Sequence, residues 1–223
     1  MTATLTDHPM IVIAMLSRDI TKNETVISLM DLSFACAKKG FNLVPFVMDT
    51  CYIDQGRNIC FKFAQEKKAD YFLFVDSDIH LKTNAETTIN KMINLGKDVV
   101  TGIYYTRLWP HMPTVYTLKE NQKLQPIANI PAEPFKVEIC GGGFMLISKK
   151  VLQAFSEDVV LKEGQPFDFI SKDGEPFRED VSFCIRLKKL GFEIWADPTI
   201  EIEHLTKVPI TSKDWDKSSI NKN

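Results

Sequence analysis

Between residues 10 and 105 short apolar runs alternate with segments of helical periodicity, and this alternation restricts the chain to few folds. Met10–Leu16, Phe41–Met48, Tyr71–Val75 and Asp98–Tyr105 have the length and the β-branched or aromatic content of strands. Thr21 and Glu24 have capping-box spacing, and Ile27, Met30, Phe34 and Ala37 fall on one helical face that ends at Lys38-Lys39-Gly40. A second helix is expected from about Arg57 to Lys68. A third follows a second capping box at Thr83 and Glu86, with Ala85, Ile89, Met92 and Ile93 as its apolar face up to Gly96. Strand–helix–strand units of this kind build a parallel sheet through right-handed crossovers. Pro45 places the Phe41–Met48 strand at an edge or a bulge.

After Tyr105 the alternation stops. Residues 106–135 carry five prolines and a hairpin signal around Glu120–Lys123, preceded by Thr114–Leu118. Val137–Ser148 reads as a strand interrupted by Gly141-Gly142-Gly143, and residues 156–178 read as loop. A helix is expected from Asp180 to Leu190, then strands at Phe192–Ala196 and Ile200–Leu205, then a polar tail. No internal repeat or linker divides the chain, and 223 residues suit one domain that buries roughly 70–75% of its unfolded surface. A net charge of −2 argues against a nucleic-acid binder, which carries a basic excess. Cys36, Cys51, Cys60, Cys140 and Cys184 are odd in number and lack zinc spacing, so they read as reduced core thiols of a cytoplasmic protein. No apolar stretch is long enough to span a bilayer, and Met10–Leu16 is too short and lacks the basic flank of a signal peptide. Any membrane association is therefore expected to be peripheral or through a partner.

The chemistry concentrates where Tyr71–Val75 ends in Asp76-Ser77-Asp78. Open α/β sheets place ligands at that strand edge. Two carboxylates so close repel, and a hard divalent cation such as Mn²⁺ or Mg²⁺ relieves the repulsion while also holding a diphosphate. Asp214-Trp215-Asp216 repeats the spacing in a polar segment with no strand before it, and is not expected to bind metal. Asp54-Gln55-Gly56-Arg57-Asn58 opens a helix and reads either as an anion or base-edge site or as an ordinary cap with a surface arginine. Gly141–Gly143 is either a close backbone approach to a ligand or a bulge. Glu179-Asp180 caps a helix or supplies a general base at Asp180. His204 ends a short strand beside Glu201 and Glu203, and is either structural or a ligand brought to Asp78; His80 and His111 are weaker candidates. Tyr104, Tyr105, Trp109 and Trp195 are core residues or platforms for a sugar ring.

Taken in order, Arg57-Asn58, Asp76-Ser77-Asp78, Gly141–Gly143, Glu179-Asp180, Asp197-Pro198 and His204 resemble the GT-A glycosyltransferases, particularly family 2-like members of bacteria, phages and large DNA viruses. The resemblance spans roughly residues 10–205. It implies a single α/β GT-A domain over residues 1–223: a mostly parallel sheet with flanking helices and a small antiparallel addition. Residues of about 10–105 would bind the nucleotide sugar, about 106–205 the acceptor, and 206–223 would form the tail. By the same resemblance a UDP- or other nucleotide-sugar donor is held through Mn²⁺ or Mg²⁺. Asp78, Asp76 and His204 stand at the metal. Arg57, Asp54, Asp76, Ser77, Gly142 and Gly143 stand at the donor. Asp180, with Glu179 beside it, deprotonates the acceptor hydroxyl of a glycan, lipid-linked or protein acceptor with inversion; a viral member would act in the host cytoplasm. The chain lacks the Gln/Arg-x-x-Arg-Trp motif of processive synthases, and Ser17-Arg18-Asp19 replaces the proline-rich turn common after the first strand. A nucleotidyltransferase would want a glycine-rich basic loop after the first strand, where Met15–Asn23 has no glycine. A non-catalytic nucleotide-sugar-binding module would have no use for Asp180.

Overall fold

A computed structural model describes residues 8–17, 21–50, 52–119, 123–172 and 175–206. The elements run β1 (Met10–Ser17), α1 (Asn23–Lys38), β2 (Asn42–Asp49), α2 (Ile53–Glu66), β3 (Tyr71–Asp76), β4 (Ile79–Leu81), α3 (Ala85–Asn94) and β5 (Val99–Ile103). Then come β6 (Val115–Leu118), β7 (Leu124–Pro126), β8 (Phe135–Val137), β9 (Ile139–Cys140), β10 (Phe144–Ser148), α4 (Lys149–Ala154) and α5 (Glu157–Glu163). The chain continues through β11 (Ser171–Lys172), β12 (Glu175–Pro176), α6 (Glu179–Lys189) and β13 (Ile194–His204).

The main sheet has eight strands in the order β2-β1-β3-β10-β5-β13-β4, with β8 also paired to β13. β1 runs parallel to β2 and β3, as the strand–helix alternation requires, and β5 also pairs in parallel with β13. β10 inserts between β3 and β5 and is antiparallel to both, a placement that no local pattern signalled. β2 is an edge strand, so the missing N–H of Pro45 breaks no inner ladder. A small antiparallel sheet, β7-β6-β9, and the β11-β12 hairpin complete the fold.

Strand alternation sends successive side chains to two apolar layers. Val12, Ala14, Phe72 and Phe74 pack with Phe61 of α2, Leu152 of α4 and Phe183 of α6. Ile11, Ile13, Leu73 and Val75 pack with Leu32 of α1 and Ile89 of α3 on the other face. Aromatic stacking tightens the first layer, with Phe167 and Phe183 4.4 Å apart.

Several local expectations are corrected. α1 buries Thr25, Ser28, Leu32, Ala35 and Cys36, whereas Ile27, Met30 and Phe34 are 55, 54 and 70% exposed. Small residues let α1 lie close to the sheet and to α3, so the burying face is the less apolar one. The two capping boxes are absent: Lys22 precedes α1 without a side-chain cap, and Asn84 caps α3 by accepting from Thr87 N (3.1 Å). α2 begins four residues before the expected start at Arg57, which sets Arg57 one turn inside the helix. The region expected as loop holds α5, and α4 follows β10 directly. The two last strands are one, β13, with a register shift between Asp197 and Glu201. Cys36, Cys60, Cys140 and Cys184 are free and buried; Cys51, residues 120–122 of the expected hairpin and Asp214/Asp216 lie outside the described residues.

Candidate functional site

Asp76 closes β3 at the sheet edge, and the backbone turns at Ser77 into Asp78 and β4. Ser77 presents its carbonyl to α1, accepting from Lys22 N (3.2 Å) and Thr25 Oγ1 (3.1 Å). The antiparallel insertion of β10 brings the glycine turn to the same point, where Asp76 N donates to Gly143 O (2.8 Å).

Arg57 ties the cluster together from beneath. Its side chain is only 2% exposed, which corrects the reading of a surface arginine. Nη2 donates to Asp76 Oδ1 (2.9 Å) and Oδ2 (3.0 Å), Nη1 to Gly142 O (2.8 Å) and Nε to Glu179 Oε1 (3.4 Å), while Phe74 lies below the guanidinium. Burial alone would lower the Arg57 pKa, but the charges of Asp76 and Glu179 outweigh it and the net shift is upward. One guanidinium thus fixes the end of β3, the glycine turn and the start of α6 relative to each other.

The glycines serve this arrangement. A Cβ on Gly142 would stand 3.0 Å from Arg57 Cζ; one on Gly143 would stand 2.8 Å from the Tyr104 hydroxyl and 3.0 Å from Asp76 Oδ2. The run makes room for the protein's own polar groups. Tyr104 accepts from Gly143 N (2.8 Å), and burial, with the charges of Asp76 and Asp180, holds its phenol protonated far above the ordinary range.

At the outer end, the pairing of β13 with β4 sets His204 opposite Ile79 and so beside Asp78, whose carbonyl accepts from Leu205 N (2.7 Å). His204 Nδ1 lies 2.7 Å from Tyr105 O. A carbonyl only accepts, so Nδ1 carries the proton and Nε2 is turned to Asp78 Oδ2 at 3.5 Å. Arg107 Nη1 reaches the same oxygen at 2.9 Å. Burial works against the Asp78 carboxylate, yet His204, when its ring carries a second proton on Nε2, and Arg107 outweigh it and hold its pKa below the usual range. No set of three or more His, Cys, Asp or Glu side chains converges on one point among the described residues. The donor set is therefore a carboxylate and an imidazole with its far nitrogen anchored. That set fits Mn²⁺ or Mg²⁺ completed by phosphate oxygens and water, the usual pattern for a cation bound with a nucleotide.

Beyond Arg57, α6 starts with Glu179, buried, and Asp180, half-buried. Burial raises the Asp180 pKa above the ordinary carboxylate value against the opposing charge of Arg57, and Val181 N donates to its Oδ1 (2.8 Å). Glu179 is raised by burial and by Asp180. The loop before α6 is pinned: Asn58 donates to Asp168 Oδ1 (2.8 Å), and Arg186 Nη1 donates to Asp168 O (2.6 Å). Asp54 stands on the first turn of α2, outside the Arg57 network. His80 pairs with Glu203 (2.8 Å) and His111 with Thr106 O (2.9 Å), so neither joins Asp78. Arg107 was not singled out in the sequence; it sits in a proline-rich stretch with no motif, and only the path of the chain after β5 delivers it.

No family model matches the chain, and no curated protein does. Among solved structures it is similar to A197 from STIV, with a TM-score of 0.59 at 18% identity over 92% of this chain and 91% of that one. The fold is GT-A-like. Weaker likenesses include a Drosophila galactosyltransferase 7 mutant in complex with manganese, UDP-Gal and xylobiose (TM-score 0.48, 12% identity, 96% of this chain and 80% of that one). Another is 4-diphosphocytidyl-2C-methyl-D-erythritol synthase from Anaerococcus prevotii (TM-score 0.48, 12% identity, 92% of this chain and 94% of that one). No helix among the described residues is long and apolar enough to cross a membrane.

Proposed function

We propose that the chain is a metal-dependent glycosyltransferase that moves one sugar from a nucleotide-diphosphate donor, such as a UDP-sugar, to an acceptor hydroxyl with inversion. The observation that carries this reading is the coexistence, at one strand edge, of an Asp78–His204 pair and of Asp180 with its raised pKa, held in register by Arg57. Asp78 and His204 would hold Mn²⁺ or Mg²⁺, which neutralises the departing diphosphate. Asp76, fixed by Arg57, faces the donor beside it. Gly142 and Gly143 line the sugar pocket with backbone, and Ser77 and Asp54 flank the nucleotide. Asp180 takes the proton of the acceptor hydroxyl as its oxygen bonds to the anomeric carbon and the bond from that carbon to the diphosphate breaks. A carboxylate with a raised pKa is the stronger base, and Val181 N, donating to its Oδ1, keeps it oriented. Arg57, enclosed and fully engaged, acts on the donor only through Asp76 and Gly142. The acceptor is a glycan, lipid-linked or protein hydroxyl met by residues of about 106–205.

A panel of nucleotide sugars with Mn²⁺, scored for release of the nucleoside diphosphate, tests the reading. Asp180→Asn should lower transfer by roughly 10²–10⁴-fold with donor binding nearly unchanged, and the product should be inverted by NMR. Retention, or near-normal turnover of that variant, rules out the base assignment. Release of pyrophosphate from a sugar phosphate and a nucleoside triphosphate would establish a nucleotidyltransferase instead.

A further inference from the structure

One cationic side chain at the candidate metal site has no part in the reaction above. Arg107 opens a hairpin arm after β5 whose base is firmly closed. Thr106 N donates to Met112 O (2.8 Å), Met112 N donates to Thr106 Oγ1 (3.0 Å), and Tyr105 bridges Pro113. The Arg107 side chain is 56% exposed, so little packing holds it, yet Nη1 lies 2.9 Å from Asp78 Oδ2. His204 Nε2 faces this same oxygen at 3.5 Å.

That geometry makes Arg107 and a divalent cation competitors. A cation bound by Asp78 and His204 would share one carboxylate oxygen with a guanidinium, and like charges so close repel strongly in a partly buried site. Asp78 cannot move away, because its backbone is held by Leu205 and its neighbour Ser77 by α1. The base of the arm is also fixed. The exposed Arg107 side chain is the part free to yield. Once released it remains tethered beside Asp78, where the diphosphate would add negative charge, and a guanidinium fork matches phosphate oxygens well.

We propose that Arg107 is an exchangeable counter-cation of Asp78. It neutralises the carboxylate in the free protein, gives it up to the divalent cation, and turns to the diphosphate of the donor. This rests on the function proposed above. Its consequence is that removing Arg107 acts in opposite directions on the two ligands, which a merely structural ion pair would not do.

The test is calorimetric titration of the full chain with Mn²⁺ alone, then with UDP at saturating Mn²⁺, for wild type, Arg107→Ala and Arg107→Lys. Arg107→Ala should bind Mn²⁺ alone about three- to tenfold more tightly, the scale on which a partly exposed ion pair competes. The same variant should bind UDP about tenfold more weakly. Arg107→Lys keeps the charge but loses the fork, and should fall between the two in both titrations. Mn²⁺ affinity that is unchanged or weaker in Arg107→Ala, or UDP affinity that is unchanged, overturns the proposal. A wild-type chain that does not bind Mn²⁺ overturns the metal-dependent function and this inference together. Wild type binding both, with Arg107→Ala indistinguishable from it, removes the role of Arg107 alone.

Discussion

Replacing Arg57 by methionine, which keeps much of the volume and the apolar stem, isolates the electrostatic role of this side chain. The guanidinium faces Glu179, 9% exposed, Asp76, 25% exposed, and the Gly142 carbonyl. Removing one partner of a buried ion pair costs about 3–5 kcal/mol, because the remaining charge stays desolvated. The partial exposure of Asp76 moves the figure down and the orphaned carbonyl moves it up, so about 3–5 kcal/mol stands. At about 2–4 °C per kcal/mol for a domain of this size, the melting temperature should fall by about 6–20 °C at neutral pH. The loss should also depend on pH, with a definite sign. Without Arg57, the Glu179 carboxyl, already raised by burial and by the charge of Asp180, holds its proton to still higher pH in the folded state than in the unfolded state. Folded protein then binds more protons than unfolded, and stability falls as pH rises through that interval. The gap between variant and wild type should therefore widen from acid toward neutral pH and narrow as Glu179 is protonated. Thermal unfolding followed by circular dichroism between pH 4 and 8 measures both effects. A drop of no more than a degree or two, with donor affinity abolished, would refute the reasoning and return Arg57 to the donor as a direct ligand.

Two further substitutions probe the packing around this hub. Gly142→Ala sets a methyl 3.0 Å from Arg57 Cζ and should cost about 1–3 kcal/mol in chemical denaturation, against no measurable loss if the turn has free space. On α1, Leu32→Ala should cost about 2–5 kcal/mol whereas Phe34→Gln stays within about 0.5 kcal/mol; equal losses would restore the apolar stripe to the core.

The amino-acid sequence by itself determined the parallel units of the sheet and the place of Asp76 and Asp78. Both depend on local signals: runs of apolar residues long enough for a buried strand, and carboxylates at the end of one of them. The edge position of β2 was legible for the same reason, since Pro45 removes a donor that an inner strand would need. The face of α1 was not legible. Periodicity identifies an apolar stripe, but the closeness of packing to α3 and the sheet decided that the smaller residues would be buried. Tertiary structure alone decided the site's wiring. The antiparallel entry of β10 between β3 and β5 carries Gly142 to Arg57, and the register of β13 on β4 carries His204 to Asp78. Both are pairings between segments far apart in the chain, for which the sequence holds no spacing to read. Arg57 shows the difference most plainly: its motif is consistent with a surface cap, and only its burial among Asp76, Gly142 and Glu179 makes it the centre of the site.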